Sequence, residues 1–404
     1  MDRRALLKLM GAAALAGLPL RPANASGLRV VVAGAGIIGA SIAWHLARAG
    51  ADVTVIDKLG PATHASRGTF AWINATWAKQ PRHYHRLNQD GLSNWKRLQG
   101  ELDIPIRWGG SLEWFAAPER QAELETQIAE QVEWGEPARM VTAEELAGLE
   151  PAVDFGTVES AAFSPNDGAV DPVLATLRLL EDASDFGATL IHPAELTGVE
   201  FGAGGLEAVV TSRGRIAADR LVLATGAAPD APGRFADIEI PQRSTPGIIV
   251  ITEPLEPILN RIVVAPGIHM HQRGDGRVVL GEQDGAPDTH QARLRGRPNE
   301  FPDPETAEAH AARLVETAAG FVPAIGGAGV DGVYIGWRPL PLDGHPVLGA
   351  APGRRDVYLA ITHSGVSLAP IVGQFAANEI VSGETLPRLD VYRPDRDFEL
   401  IRRY

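Results

Sequence analysis

Hydrophobic positions along the chain follow two periods, and the switches between them fall at glycines. Leu28 to Ala33 is an apolar run rich in β-branched residues and interrupted only by Arg29, as expected of a strand buried on both faces. Gly34-Ala35-Gly36-Ile37-Ile38-Gly39 interrupts it, and a helical pattern then runs from about Ile38 to Ala49 and closes at Gly50. A second strand, Val53 to Ile56, ends at Asp57. Further on, Asp171 is placed to cap a helix with Pro172 at its first position, ending near Gly187. Short alternating strands are expected across Leu196 to Ile216, and a helix over Pro304 to Ala319. In Gly267 to Glu282 the period-2 alternation puts His269 and His271 on one face of a strand. The pattern predicts an α/β protein.

The first of these units has a chemical reading. In a strand–loop–helix–strand unit, Gly34 permits the tight turn, Gly36 lets backbone approach a pyrophosphate, and Gly39 allows helix and strand to touch. Ile37 and Ile38 open the helix, whose unpaired N–H groups and positive dipole end attract phosphate. Asp57, with Lys58 beside it, is placed to accept from a ribose hydroxyl. This is a Rossmann-like dinucleotide site; on its own it fits FAD and NAD equally.

Composition narrows the classes. The 404 residues, 45% of them hydrophobic, suffice for two domains and a large core. A net charge of −13 argues against a nucleic-acid partner, whose binding rests on neutralising phosphates. Cysteine is absent, which excludes disulfides, thiolate nucleophiles and iron–sulfur clusters, and no metal site is expected. At the N-terminus, Arg3-Arg4 and Lys8 precede an apolar run from Leu9 to Leu20 and then Ala23-Asn24-Ala25. That order predicts a secretory signal of residues 1–25, too short to span a bilayer. Its paired arginines are of the twin-arginine type, the route of proteins already folded, so a periplasmic location is expected.

Six segments then stand in sequence: the glycine loop, "PATHASRGTFAWINA" (Pro61 to Ala75), "SPNDGAVDPVLATLRLLEDASDFGATLI", "DRLVLATGAAPD", "GWRPLPLDGHPVLG" (Gly336 to Gly349) and "DVYLAITHSGVSLAPIVGQFAANEIVSG" (Asp356 to Gly383). In this order they resemble the D-amino-acid oxidase-like family of FAD-dependent amine and amino-acid oxidoreductases, from Leu28 to about Arg393. The resemblance implies FAD as cofactor, with Ala65, Ser66, Arg67 and Gly68 lining the flavin and Thr225-Gly226 closing on the cofactor. It also implies that Ser364-Gly365-Val366 face the flavin ring, where a helix N-terminus favours the reduced, anionic form. "THAS" is similar to the stretch through which dimethylglycine-type relatives tether FAD, which makes His64 a candidate tether.

On the substrate side, the arginine at the "GWRP" position binds the substrate carboxylate in glycine- and D-amino-acid-oxidising relatives. The resemblance gives that role to Arg338, and a guanidinium fork suits a carboxylate. No tyrosine lies between Asp171 and Gly332 to make the family's other substrate contact, and His271 is the candidate replacement. Lys8, Lys58, Lys79 and Lys96 are the only lysines. Nothing after Lys96 can stand where sarcosine-oxidase-like members keep a lysine for oxygen activation, which favours a dehydrogenase passing electrons to a quinone or cytochrome over one using oxygen. "WAKQPRHYHRLNQDG" is a basic and aromatic cluster that could flank the active-site mouth or guide an acidic partner, with a solvated helix face near Tyr84 and Leu87 as the favoured reading.

The expectation is an exported FAD-dependent oxidoreductase that oxidises the C–N bond of an amino acid or N-substituted glycine by hydride transfer to flavin N5. Its alternatives are a hydroxy-acid or cyclic imino-acid dehydrogenase on the same scaffold, or an electron-relay flavoprotein without catalysis. Parsed as the resemblance implies, residues 28–88, 165–231 and 327–387 would build a discontinuous FAD domain, 89–164 and 232–326 an α+β substrate domain carrying a mainly antiparallel sheet, and 388–404 a C-terminal tail.

Overall fold

The computed structural model describes residues 27–75, 79–283, 294, 296 and 298–400, so the candidate signal of residues 1–25 lies outside the described residues. The strands of the two large sheets and the α-helices are numbered in chain order. The first part comprises β1 (Arg29–Ala33), α1 (Ile37–Arg48), β2 (Asp52–Ile56) and α2 (Arg82–Leu102). There follow β3 (Ser111–Glu113), α3 (Pro118–Glu133), β4 (Arg139–Thr142), α4 (Ala143–Leu149), β5 (Ser160–Ser164), α5 (Pro172–Asp185) and β6 (Thr189–Ile191). The middle holds β7 (Arg220–Leu223), α6 (Ala231–Ala236), β8 (Gln242–Pro254), β9 (Ile262–Ala265), β10 (Ile268–Gln272), β11 (Arg277–Gly281) and α7 (Pro304–Ala319). The end is β12 (Val330–Pro341), β13 (Val347–Ala351), β14 (Arg354–Ile361) and α8 (Gly365–Ser382).

Six strands form the first sheet in the order β13-β14-β7-β1-β2-β6, parallel except for β13. The β1 side chains alternate between two cores. Val30 and Val32 pack with α1, α2, α5 and α8, while Val31 and Ala33 pack on the opposite face with Leu221, Leu223 and Phe235. Coverage of both faces is why Val30 to Ala33 read as an unbroken apolar run. The chain leaves β1 for β2 on one side and takes β7 on the other, so a crevice opens beyond the ends of these strands, where such sheets bind ligands.

The second sheet has eight strands in the order β12-β8-β11-β10-β9-β3-β5-β4, with α7 on its back. Two expected boundaries are corrected here. β12 pairs with β8 from Gln242↔Pro341 to Thr252↔Val330, so the segment from Val330 to Pro341 belongs to this sheet and not to the cofactor half. Conversely, Leu92, Trp95 and Leu98 of α2 are buried in the first sheet's core, which places the start of the 89–164 segment in the cofactor half. The tail is clamped back on the fold, Arg393 forking onto Glu379 at 2.7 and 3.0 Å.

Candidate active site

A cavity of about 730 Å³ opens at the crevice and runs between the two sheets. Its near wall is the glycine loop. Gly34 has φ +113°, a conformation only glycine adopts readily, and a Cβ there would meet the Ala224 carbonyl oxygen at 2.3 Å. A Cβ on Gly39 would stand 1.9 Å from the Gly34 carbonyl oxygen, so Gly39 serves helix–strand contact and does not line the cavity. Gly36, Ile37 and Ile38 do line it. The start of α1 carries no side-chain cap and no acidic residue in its first turn, which leaves its positive end to a ligand. Ser66 steadies the turn, its Oγ accepting from the Ile37 N–H at 3.0 Å.

Asp57 is anchored before any ribose arrives. One oxygen accepts from the Ala35 N–H at 2.9 Å, the other from the N–H groups of Leu59 and Gly60 at 2.8 and 2.9 Å. A carboxylate has about four acceptor sites, so one remains for a hydroxyl on the cavity side. Lys58 also lines this end. Asp57 follows β2 and Thr362 follows β14, three strand spacings away, or about 14 Å.

Between these ends the wall is made of Ala65, Ser66, Gly68, Thr225 and Gly226, and at the far end of Ser364, Gly365 and Val366 at the start of α8. Thr225 Oγ1 is buried with no partner among the described residues, as is His64 Nε2. His64 Nδ1 meets the Asn299 side-chain oxygen at 2.6 Å and donates to it, which leaves the lone pair on Nε2. A groove with a phosphate-type helix end, a ribose-type carboxylate and unpaired polar atoms along its length fits an extended dinucleotide. Arg67 does not take part: it is exposed, with its guanidinium 4.1 Å above the Tyr334 ring. In the turn closed by the Arg67 and Gly68 N–H groups on the His64 carbonyl, Ser66 and Gly68 are buried and Arg67 is exposed, which corrects the expectation that Arg67 lines the flavin.

The opposite wall is the second sheet. Gly68 and Gly336 cross backbone to backbone, a Cβ on either meeting the other's main chain at 2.2–2.3 Å, and this contact fixes β12 against the cofactor loop. Two residues beyond Gly336, on the same face, Arg338 lines the cavity, its Nη2 donating to the Pro246 carbonyl at 3.1 Å. His269 also lines the cavity; His271 does not. The two share a face of β10 as the alternation predicts, but Phe70 packs edge-on against both, with ring centroids 5.3 and 4.8 Å away. The Phe70 carbonyl holds His271 Nε2 at 2.8 Å, and burial pushes the His271 pKa down to about 3. His271 is therefore a neutral, buried histidine that does not line the cavity, which corrects the expectation that it contacts substrate; His269 is the histidine of this strand that lines it.

Three further groups at or behind the cavity wall were given no individual role from sequence, although the stretch holding Lys79 and Tyr84 had the active-site mouth as its second reading. Lys79 is buried and lines the cavity, its Nζ 3.4 Å from Ser364 Oγ. Tyr84 is fully buried and donates its hydroxyl hydrogen to the same oxygen at 3.2 Å. The stretch read as a solvated helix face thus turns these two residues inward, because α2 packs on α8. Behind the cavity wall, Asp167 Oδ2 accepts from Trp72 Nε1 at 2.9 Å and from Ser111 Oγ at 2.7 Å, and Trp72 itself lines the cavity. Burial raises the Asp167 pKa from 3.8 to about 7, against these hydrogen bonds and one from the Ala75 backbone. Among the described residues no cluster of side chains is suited to a metal, and no helix is long and apolar enough to cross a membrane.

A cavity shaped for a dinucleotide on one wall and carrying a guanidinium on the other is the plan of a two-domain, dinucleotide-dependent oxidoreductase. Comparison with known proteins selects the cofactor. Residues 29–379 match the DAO family, described as FAD dependent oxidoreductase, and the chain belongs to that family. It is 27% identical to the glycine oxidase of Bacillus licheniformis over 366 residues, covering 87% of this chain and 92% of that protein. It is 25% identical to a subunit of the opine oxidase of Agrobacterium tumefaciens (strain Ach5), covering 91% and 97% respectively. The crystal structure of glycine oxidase from Geobacillus kaustophilus superimposes with a TM-score of 0.82 at 23% identity, over 92% of this chain and all of that one, and shares its fold.

Proposed function

We propose that the protein oxidises the C–N bond of a small amino acid or N-substituted glycine to an imine, which water then hydrolyses. FAD, when bound, supplies the two-electron acceptor. The protein's residues supply position. The observation that carries the reading is Arg338, which faces the same cavity as the cofactor wall and is set there by the Gly68–Gly336 crossing. Its fork binds a carboxylate with two parallel charge-assisted hydrogen bonds. That grip fixes the carbon bearing the amine, and the rate gain comes from orientation, not from a covalent link to the protein. Phe70, Trp72 and His269 surround the remaining volume with ring surface, which excludes water from the reacting carbon. The names of the relatives, a glycine oxidase and part of an opine oxidase, support an amino-acid or amine substrate.

The test is anaerobic: D-, L- and N-methyl amino acids are added to the purified holoprotein while oxidised-flavin absorbance is followed. Bleaching by one of these classes is expected; bleaching by none, with flavin present, refutes the reading. The preference for a dehydrogenase rested on the scarcity of lysine, and Lys79 in the cavity wall removes that support. Reoxidation rates with air and with a quinone, compared on the bleached protein, assign the acceptor. We also propose export through the twin-arginine route, supported by Arg3-Arg4 and the apolar run behind them. A tagged chain is expected in the periplasmic fraction, and an Arg3→Lys/Arg4→Lys chain in the cytoplasm; equal distribution of the two refutes it.

A further inference from the structure

The far end of the cavity holds more positive potential than a helix terminus provides. α8 begins at Ser364, which sits in the left-handed region (φ +56°), and the helix carries no side-chain cap and no acidic residue in its first turn. Lys79 lines the cavity at that point, its Nζ 3.4 Å from Ser364 Oγ and 5.8 Å from the Tyr84 ring centroid. His363 Nδ1 and the Tyr84 hydroxyl also lie within 3.0 and 3.2 Å of that oxygen, so Ser364 Oγ is the hub of a small polar group facing the cavity. The other lysine of the cavity, Lys58, is exposed and stands at the Asp57 end. A dinucleotide laid from Asp57 past the glycine loop therefore brings its ring system to the end where Lys79 is.

We propose that Lys79 is the charge that tunes the cofactor: its ammonium, buried beside the α8 N-terminus, stabilises the negative charge the flavin ring acquires on reduction and so raises its midpoint potential. The physics is that of a unit charge in a partly desolvated site, where Coulombic attraction is several times stronger than in water. The flavin carries no net ring charge when oxidised, so attraction to Lys79 acts on the reduced form alone, and only such a difference moves a potential. The inference rests on the FAD cofactor and not on the choice of substrate.

Sulfite tests it without any substrate. The sulfur lone pair adds to flavin N5, an N5–S bond forms, and the electron pair displaced into the ring leaves a negative charge there. The sulfite dissociation constant therefore reports the same stabilisation as the potential does. Holoprotein is titrated with sulfite as wild type, Lys79→Met, Lys79→Gln and Lys79→Arg, and the midpoint potential of each is measured beside a reference dye. The two neutral variants are expected to bind sulfite about tenfold more weakly or worse, the scale of removing one nearby charge. Their potentials should be lower by about 30 mV for each tenfold. Lys79→Arg is expected within about threefold of wild type. Equal sulfite affinity in all four proteins overturns the proposal, as does a wild-type flavin that binds no sulfite. Loss of FAD from both neutral variants with retention in Lys79→Arg also overturns it, by assigning the charge to cofactor binding. The expected weakening in the neutral variants alongside a failed substrate screen would uphold this proposal and refute the substrate reading.

Discussion

Asp167→Asn removes a buried carboxylate whose titration falls near neutral pH and whose hydrogen bonds hold a cavity residue, Trp72. Burial lifts its folded pKa from 3.8 to about 7, roughly three units, and each unit corresponds to about 1.4 kcal/mol. The sign follows from proton counting. Below pH 3.8 both the folded and the unfolded chain keep the proton, and Asp167 is at its most favourable. As pH rises from about 4 to about 7 the unfolded chain ionises while the folded chain resists, so stability is lost progressively, by about 4 kcal/mol in all, and the loss is complete above pH 7. Asparagine does not titrate. It also brings an amide N–H2 toward the Ala75 backbone N–H that now hydrogen-bonds to the carboxylate, a mismatch costing about 1–3 kcal/mol at every pH. The signature is therefore the slope and not the offset. Urea-unfolding midpoints of FAD-loaded wild type and variant, with m-values compared, are measured from pH 4 to pH 8. The gap between them should move in favour of asparagine by about 4 kcal/mol across that range. A gap that stays constant within about 1 kcal/mol would refute the assignment of a protonated, buried Asp167.

Truncating Arg338 to Ala removes charge-assisted hydrogen bonds worth about 1.5–3 kcal/mol each, so kcat/KM should fall at least about tenfold for a carboxylate substrate with FAD content unchanged. Equal losses for a substrate lacking the carboxylate would count against the fork. Gly39→Ala forces a Cβ to within 1.9 Å of the Gly34 carbonyl oxygen and should yield protein without flavin absorbance. His269→Ala should change KM for substrate, while His271→Ala should leave KM alone and lower the melting temperature, because its ring is buried and bonded to Phe70. The reverse outcome would restore His271 to the substrate side.

Local chemistry was the legible part of this chain. The glycine loop, the Asp171 cap, whose Oδ1 accepts from the N–H groups of Val173 and Leu174, and the shared face of His269 and His271 are each decided within a few residues. What escaped is set by partners far away in sequence. Which of the two histidines meets the cavity depends on Phe70, 201 residues before His271. Lys79 reads as one more basic residue in a basic stretch until α8, some 285 residues on, is laid against it. The assignment of β12 depends in the same way on its register with β8, which no pattern inside Val330 to Pro341 encodes. The fold class follows from periodicity, whereas the Ser364 end of the cavity is a product of packing.

The order of strands in the first sheet has a consequence for biosynthesis. Arg29 and Asp219, joined by an ion pair at 2.6 Å beside the β1–β7 pairing, are 190 residues apart. At translation rates of about 5–20 residues per second, β1 waits on the order of ten to forty seconds for β7 to emerge. The cavity wall at Ser364 is synthesised after almost all of the rest of the lining. A nascent chain that stops before Ser364 lacks the far wall of the pocket. Until β7 emerges, Val30 to Ala33, apolar on both faces, have no strand along that edge.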